Sequence, residues 1–587
     1  MRGGGMRVRH VHTYIGLAYI GSAYNTDRHA STDASAAVDT TSAEGYSARQ
    51  GGKNVIKRSS GVLMHISSLP GPFEIGTMGS DAKRFIRQVA EMGCSYWQIL
   101  PLNHLGDSRS PYSCRSLFAL NPAFIDVYEF TASGLLSASE ITEGTSVDDA
   151  KQQSEAASVT EKKRLILMRK AFSRLDAEQA AQVRAFADRH KGWLDDYALF
   201  CALKNKFDGL HWYEWTDIGL RLHKADALQK ARESLGNDIF FWQFIQWAAY
   251  GQWSESKSFA NSYGVYVIGD IPIYASFDSS DVWSHSELFQ LNTKHIPKQV
   301  AGVPPDYFNR TGQLWGNPLY DWDNMRKDGF AWWMSRIENA LGIYDIVRID
   351  HFRGFHTYWS VPFANKTAKK GEWELGPGMD FVKRLKACFP DAPVVVEDLG
   401  DLDADAKRFF ADAGFPGMRV MQFGFGRDST PEHRLKDFGE NCVAYTGTHD
   451  NNTVVGWYED ADQDSRLDSY RDLGLLKPYK RRAPAAGKDA SEIPSFTGKK
   501  LSRAWVEALF KSDARVAIAP IQDLLAQGGE SRMNLPGSES PKNWSYRVQA
   551  DELRSLDIKW VKKLNTASKR YAYKDGGDAA SGACSDS

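Results

Sequence analysis

The chain has 587 residues, too many for one small core, so it requires two domains or one large barrel with insertions. Apolar residues at 42% and charged residues at 25% match a soluble globular protein and exclude disorder of the whole. A formal net charge of -1 sets up no field that would gather nucleic acid or an anionic membrane, so neither is an expected partner and a neutral ligand fits best.

Residues 1–57 form a leader or a disordered extension: Arg2, Arg7 and Arg9 precede a short apolar stretch from Tyr14 to Tyr24, a Ser-, Thr-, Ala- and Gly-rich run follows, and no acid precedes Asp27. His10 and His12 within it are a chance pairing. Read as a transit peptide the segment places the protein in the plastid stroma; otherwise the cytoplasm is the expected compartment. Cys94, Cys114, Cys201, Cys388, Cys442 and Cys584 lie far apart without a CxxC pair, which suits reduced thiols in either place. No apolar stretch reaches the ~20 residues of a spanning helix.

The catalytic region spans 58–565 and contains eight short β-branched runs, each ending in polar residues and followed by a helical pattern. They are GVLMHI (61–66), SYWQIL (95–100), GVYVIG (264–269), YDIVRI (344–349), PVVVE (393–397), MRVMQF (418–423), CVAYT (442–446) and VAIAPI (516–521). Near-continuous apolar strands are what a buried parallel sheet needs. After the first run, Ser80 is placed to cap a helix with Phe85, Val89 and Met92 on one face. Eight such units predict an α/β fold, a (β/α)8 TIM barrel. Between the second and third runs, 128–258 reads as a large, mostly helical insertion carrying Leu165, Leu167 and Met168, then the stretches Tyr197 to Leu203 and Phe240 to Tyr250. The Lys- and Pro-rich segment 477–495 reads as a surface loop, and the Gly-, Ala-, Ser- and Asp-rich stretch 566–587 as a disordered tail.

In such a barrel the site lies at the carboxyl ends of the strands. Asp350 follows the fourth run, Glu397 ends the fifth, and Asp450 follows the seventh. Any one of these acids alone is more often half of a structural ion pair; three acids at three strand ends are not. Arg348 and Asp350 share a strand face, so the guanidinium is expected to keep Asp350 ionised as a nucleophile. Neighbouring strands lie about 4.8 Å apart, which puts Asp350 and Glu397 near the roughly 5–5.5 Å spacing of retaining glycosidases. Glu397 then acts as acid and base, with a pKa expected to be raised by partial burial, and Asp450 stabilises a positively charged sugar ring. A metal alternative exists, because His65, Asp270, His351, His449 and Asp450 border the same mouth. The lack of a His-x-His pair at the strand ends and the Arg348 charge argue against it, so no metal is expected. Nor is an organic cofactor, for want of a Gly-rich phosphate loop or a Schiff-base lysine context.

With these tracts assembled, the chain resembles the amylomaltases, or 4-α-glucanotransferases, of glycoside hydrolase family 77 in the α-amylase clan. The resemblance spans roughly 58–550 and is carried in order by SSLPGP (67–72), YWQILPL (96–102), SPYS (110–113), GDIPIY (269–274), AGVPPDYF (301–308), GQLWGNPLYDW (312–322), RIDHFRG (348–354), EDLG (397–400), FPGMRVMQF (415–423), GTHDNNT (447–453) and RMNLPG (532–537). It implies the same roles for Asp350, Glu397 and Asp450, sugar contacts from Arg348 and His449, and glucan contacts from Tyr112, Asp270, Trp283 and Asn534. Trp283 is as well explained by packing as by stacking. The implied activity moves α-1,4-glucan segments between maltooligosaccharides or starch chains, in a monomer or small homo-oligomer. Tyr307 and Phe308, on the 301–308 loop, are expected to cover the mouth and favour a sugar acceptor over water. The chain departs from the family pattern at Cys114, Arg115, Ser116 and Leu117 after SPYS, which unsettles the expectation for Tyr112, and at Lys542 before NWSYR. The rival readings are a plain α-glucan hydrolase and a catalytically silent glucan-binding protein.

Overall fold

Each of the eight apolar runs becomes a parallel strand. They are β1 (Ser59–Leu63), β2 (Tyr96–Gln98), β3 (Tyr266–Ile271), β4 (Ile346–Ile349), β5 (Val394–Val396), β6 (Gly417–Val420), β7 (Cys442–Tyr445) and β8 (Val516–Pro520). The computed structural model describes residues 56–145, 156–305, 310–427, 429–476 and 495–570. Strands pair in chain order from β1 to β5 and from β6 to β8, and β8 returns to β1 with Val516 opposite Ser59. Between β5 and β6 no ladder forms, but the Val396 N–H donates to Pro416 O at 3.0 Å and joins the two ends of the ring. The fold is the (β/α)8 barrel that the eight runs predict.

Why the barrel holds follows from the period-two alternation of strand side chains. Leu63, Tyr96, Ile268, Ile346, Val395, Met418, Val443 and Ile518, one from each strand, meet in the interior. Burying each contributes roughly 1.5–3 kcal/mol. Two residues further along, the inward positions turn polar: Asp270 on β3, Arg348 on β4 and Glu397 just past β5. An apolar plug therefore supports a charged rung at the carboxyl end. After β1, helix Ser80–Glu91 buries Phe85, Ile86 and Val89 against the sheet. Its N-cap is Gly79, not Ser80; the Ser80 N–H donates to Asp126 at 3.4 Å, so a distant carboxylate does the capping.

The long interval between β2 and β3 is helical as expected, with Ala156–Phe172, Ala177–Arg189, Lys191–Lys206 and Gly236–Ser262 the longest helices. The last of these serves both parts. Phe240, Phe241 and Phe244 pack on Phe172, whereas Trp253 meets Trp97 at 6.3 Å and donates to Ile343 O at 2.7 Å on the barrel side. No helix among the described residues is long and apolar enough to cross a membrane.

One boundary is corrected. The tail was placed from residue 566, yet helix Ile558–Ala567 runs through that point. Arg570 is buried and donates to the carbonyls of Ser59, Phe510, Ser512, Ala514 and Arg515 at 2.7–3.1 Å. A window averaged over the Gly- and Ala-rich end hides that single anchor. Loops after β3 and β4 also build a four-stranded antiparallel sheet, in the order Gln313–Pro318, Gln299–Val303, Thr357–Pro362, Glu372–Leu375, which the sequence did not announce. Apart from residues 56, 57 and 495, the leader and the 477–495 loop lie outside the described residues. Ile56 already belongs to the barrel interior.

Candidate active site

Register across β4 and β5 sets Ile349 opposite Val396, so the next residues up, Asp350 and Glu397, face each other above the barrel. Backbone bonds fix both: the Asp350 N–H donates to Ile271 O at 3.1 Å and the Glu397 N–H to Ile349 O at 3.0 Å. The two carboxyl groups come close enough to share a hydrogen bond. Arg348 binds three acids at once. Its Nη1 donates to Asp270 Oδ2 at 2.6 Å and to Asp350 Oδ1 at 3.0 Å, and its Nη2 donates to Glu397 Oε2 at 2.6 Å.

This geometry reverses the expected protonation of the pair. Burial, then the Glu397 charge, push the Asp350 carboxyl well above its ordinary value, with Arg348 opposing and Asp270 adding to the rise. Burial alone would also raise Glu397, but Arg348, the hydrogen bond from Asp350 and the charge and N–H of His351 bring it down to about 2. Glu397 has the shorter contact with Arg348 and an additional donor, the His351 N–H at 3.1 Å. His351 sits at φ 43°, in the left-handed region, which aims that N–H at the acid. The two carboxyl groups are therefore pushed apart, Asp350 upward and Glu397 downward, and they titrate as a pair.

On the far side of the mouth, Asp450 keeps a 45% exposed side chain. Its Oδ1 accepts from Asn534 Nδ2 at 2.6 Å, and its carbonyl accepts from Arg532 Nη2 at 2.5 Å. Tyr112 links this wall to the charged rung. Its hydroxyl donates to Asp270 Oδ2 at 2.7 Å and lies 3.0 Å from His449 Nε2. A phenol has one proton to give, so His449 Nε2 carries a hydrogen and donates to Tyr112. Burial and the Asp270 charge raise the phenol well above its ordinary value, which keeps that donor in place. The unusual Cys114 to Leu117 stretch leaves Tyr112 in position, because the Cys114 N–H is anchored on Ser276 Oγ at 2.9 Å.

The structure thus brings together Asp350, Glu397, Asp450, Arg348, His449, Tyr112 and Asn534. Asp270 joins them from beneath: it is fully buried, and both partners of its Oδ2 are Arg348 and Tyr112, so it orients these two and presents no surface to a glucan. Trp283 is not at the mouth. Its ring has 0% exposure among Phe200, Trp215 and His223, and its indole N–H donates to Leu220 O at 2.9 Å, leaving no face for a sugar. Tyr307 and Phe308 lie outside the described residues, and the start of their tract is the strand Gln299–Val303 instead of loop.

Sequence reasoning missed two aromatics. Trp315, 37% exposed, stands edge-on to His351 at 4.9 Å. The signal was an aromatic between Gly312 and Gly316, both at positive φ. Trp544, at φ 61°, leans on Tyr112 and His449, both at 5.8 Å. As for a metal, burial and the nearby His449 lower His65 to about 3, and its Nδ1 accepts from the Leu100 N–H. Of the remaining candidate ligands, Asp270 Oδ2 already accepts from Arg348 Nη1 at 2.6 Å. Elsewhere among the described residues Asp107, His211 and Asp278 come within ligating distance of one another, but Asp278 Oδ2 already accepts from the Lys204 ammonium at 2.6 Å.

Comparison with known proteins follows the same lines. A family model described as 4-alpha-glucanotransferase matches residues 64–553. The chain is similar to the 4-alpha-glucanotransferase of Clostridium butyricum, 40% identical over 487 residues that cover 83% of this chain and 95% of the relative. It is also similar to the chloroplastic/amyloplastic 4-alpha-glucanotransferase of Solanum tuberosum, 36% identical over 526 residues covering 88% and 86%. Among solved structures it resembles the amylomaltase from Streptococcus agalactiae in complex with acarbose, at 33% identity and a TM-score of 0.79, covering 88% of this chain and 100% of that one.

Proposed function

This chain belongs to the 4-alpha-glucanotransferase family, and from that premise we propose that it moves α-1,4-glucan segments from a donor maltooligosaccharide or starch chain to an acceptor glucan or glucose, with retention at the anomeric carbon. Asp350 attacks that carbon while Glu397 protonates the departing glycosidic oxygen, giving a glucosyl ester on Asp350. The acceptor hydroxyl then loses its proton to Glu397 and attacks from the side the leaving group vacated. Two inversions restore the original configuration. Asp450, oriented by Asn534, sits where it can offset the positive charge of the sugar ring in both transition states.

The observation that carries this reading is that one guanidinium, that of Arg348, holds both Asp350 and Glu397, at 3.0 and 2.6 Å, at the ends of neighbouring strands. Two acids at the ends of adjacent strands, held by one side chain, fit the narrow spacing of a retaining pair better than the wider gap an inverting pair needs for a water. For the first step Asp350 has to be ionised and Glu397 protonated as the glycosidic oxygen approaches.

Preference for a sugar acceptor over water is assigned to the exposed Trp315 beside His351 and, from the sequence tract alone, to Tyr307 and Phe308. Incubation with maltotriose tests the proposal. Glucose plus longer maltooligosaccharides is the expected result; a gain of reducing ends without longer products means a hydrolase, and no turnover means a silent glucan-binding protein. We place the protein in the cytoplasm, or in the plastid stroma if 1–57 acts as a transit peptide; bacterial and chloroplastic/amyloplastic relatives support one compartment each. Mass spectrometry of the mature amino terminus separates the two.

A further inference from the structure

Arg348 governs both reacting carboxyls, and what orients Arg348 lies two strands away, beyond β5. Its guanidinium is planar, so the direction of the Nε–H fixes where the two Nη groups point. Among the described residues the acceptor for Nε is Met418 Sδ on β6, at 3.3 Å. We propose that Met418 is a positioning residue of the reaction, its thioether holding the plane of Arg348 so that one guanidinium serves Asp350 and Glu397 together. The proposal rests on the reading of those two acids as the reacting pair.

The choice of group is chemically pointed. A carboxylate at that position would add a fourth negative charge around Arg348, and a hydrocarbon would leave a buried donor bare. A thioether accepts weakly and carries no charge, so it sets the plane without drawing positive charge away from the acids.

Met418 is itself fixed from the acid side. Its N–H donates to Asp398 Oδ1 at 2.6 Å, and Asp398 Oδ2 accepts from Arg419 Nη1 at 2.9 Å. Gly417 makes the room: a Cβ there would lie 2.2 Å from Asp398 Oδ2. Since Asp398 follows Glu397, the contacts close a circuit from Arg348 to Glu397, from Asp398 to Met418, and from Met418 back to Arg348. That circuit crosses the β5–β6 seam, the place where the barrel ladder is interrupted. The side chains supply there the rigidity that the backbone does not.

The test uses the full chain with Met418→Leu and Met418→Gln, measuring kcat and KM on maltotriose, the pH–rate profile and thermal unfolding. Leu keeps the bulk and loses the acceptor; Gln offers a side-chain oxygen. Met418→Leu is expected to lower kcat about tenfold, the scale of one buried hydrogen bond, with KM little changed. Arg348 is faced by Asp270, Asp350, Glu397 and Tyr112, and its charge pulls both reacting carboxyls down. Loosening it therefore shifts both limbs of the profile to higher pH. Met418→Gln is expected to recover most of kcat and the original profile. The proposal is overturned if Met418→Leu matches the parent in kcat and profile, or if Met418→Gln is as impaired as Met418→Leu at equal thermal stability. Turnover by the parent chain in the same assay reads the proposed function separately.

Discussion

Replacing Arg348 with Lys keeps the charge and removes the fork. In the parent, three carboxylates accept from two Nη atoms at 2.6, 3.0 and 2.6 Å, and all of them lie within or beside the buried rung. An ammonium on a shorter arm cannot span Asp270, Asp350 and Glu397 at once, so two of the three charge-assisted bonds are lost. Each contributes about 1.5–3 kcal/mol, and a buried ion pair broken on one side costs about 3–5 kcal/mol. If about 3–4 kcal/mol of that is expressed in the transition state, kcat/KM falls by roughly 10²–10³. The assay is glucose release from maltotriose, with thermal unfolding run in parallel. Loss of activity should exceed any loss of folded protein, because the positive charge remains to hold the rung together. Arg348→Met, which removes it, should show a distinct stability profile. With no cation, the buried carboxyls have folded pKa values above their unfolded ones, near about 4. Their contribution is then complete below the unfolded value and is lost as pH rises through the folded value, so this variant should be most stable in acid. Arg348→Lys with kcat/KM within a few-fold of the parent would refute the reasoning.

Three further outcomes follow from the same geometry. Asn534→Ala frees Asp450 Oδ1 and should lower kcat on maltotriose by about tenfold or more, while Tm stays near the parent value because the site is partly exposed. Trp283→Ala should cost about 3–5 kcal/mol in denaturant unfolding and leave glucan KM unchanged in the folded fraction; a raised KM at unchanged stability would return Trp283 to the substrate. Arg570→Ala strips the partner from five carbonyls and should lower Tm, with kcat at permissive temperature untouched.

Much of this molecule is legible in its sequence because barrel strands are continuous apolar runs, and because the inward period of two carries Ile346 to Arg348 and then to Asp350. The same alternation places Val395 below Glu397. What pattern reading cannot supply is direction in three dimensions. That Arg348 reaches Asp270 and Glu397 as well as Asp350 depends on the neighbouring strands, and so does the larger number of donors that Glu397 collects. Trp283 and Trp315 are both tryptophans in polar-looking tracts; only tertiary packing buries the first among Phe200 and Trp215 and leaves the second open beside His351. The small antiparallel sheet is hidden for a related reason. Its strands are short, two of the four contain glycine, and only a small cluster of Val300, Val361 and Ala368 supports them in place of a long apolar run.

The account turns on a bond that forms and breaks at Asp350. A Glu397→Gln chain given an α-glucosyl fluoride donor, whose leaving group needs no proton, should accumulate a covalent glucosyl adduct, and peptide mapping should find that mass on the peptide bearing Asp350. An adduct on another residue, or turnover of the fluoride with inverted product and no adduct, would contradict it.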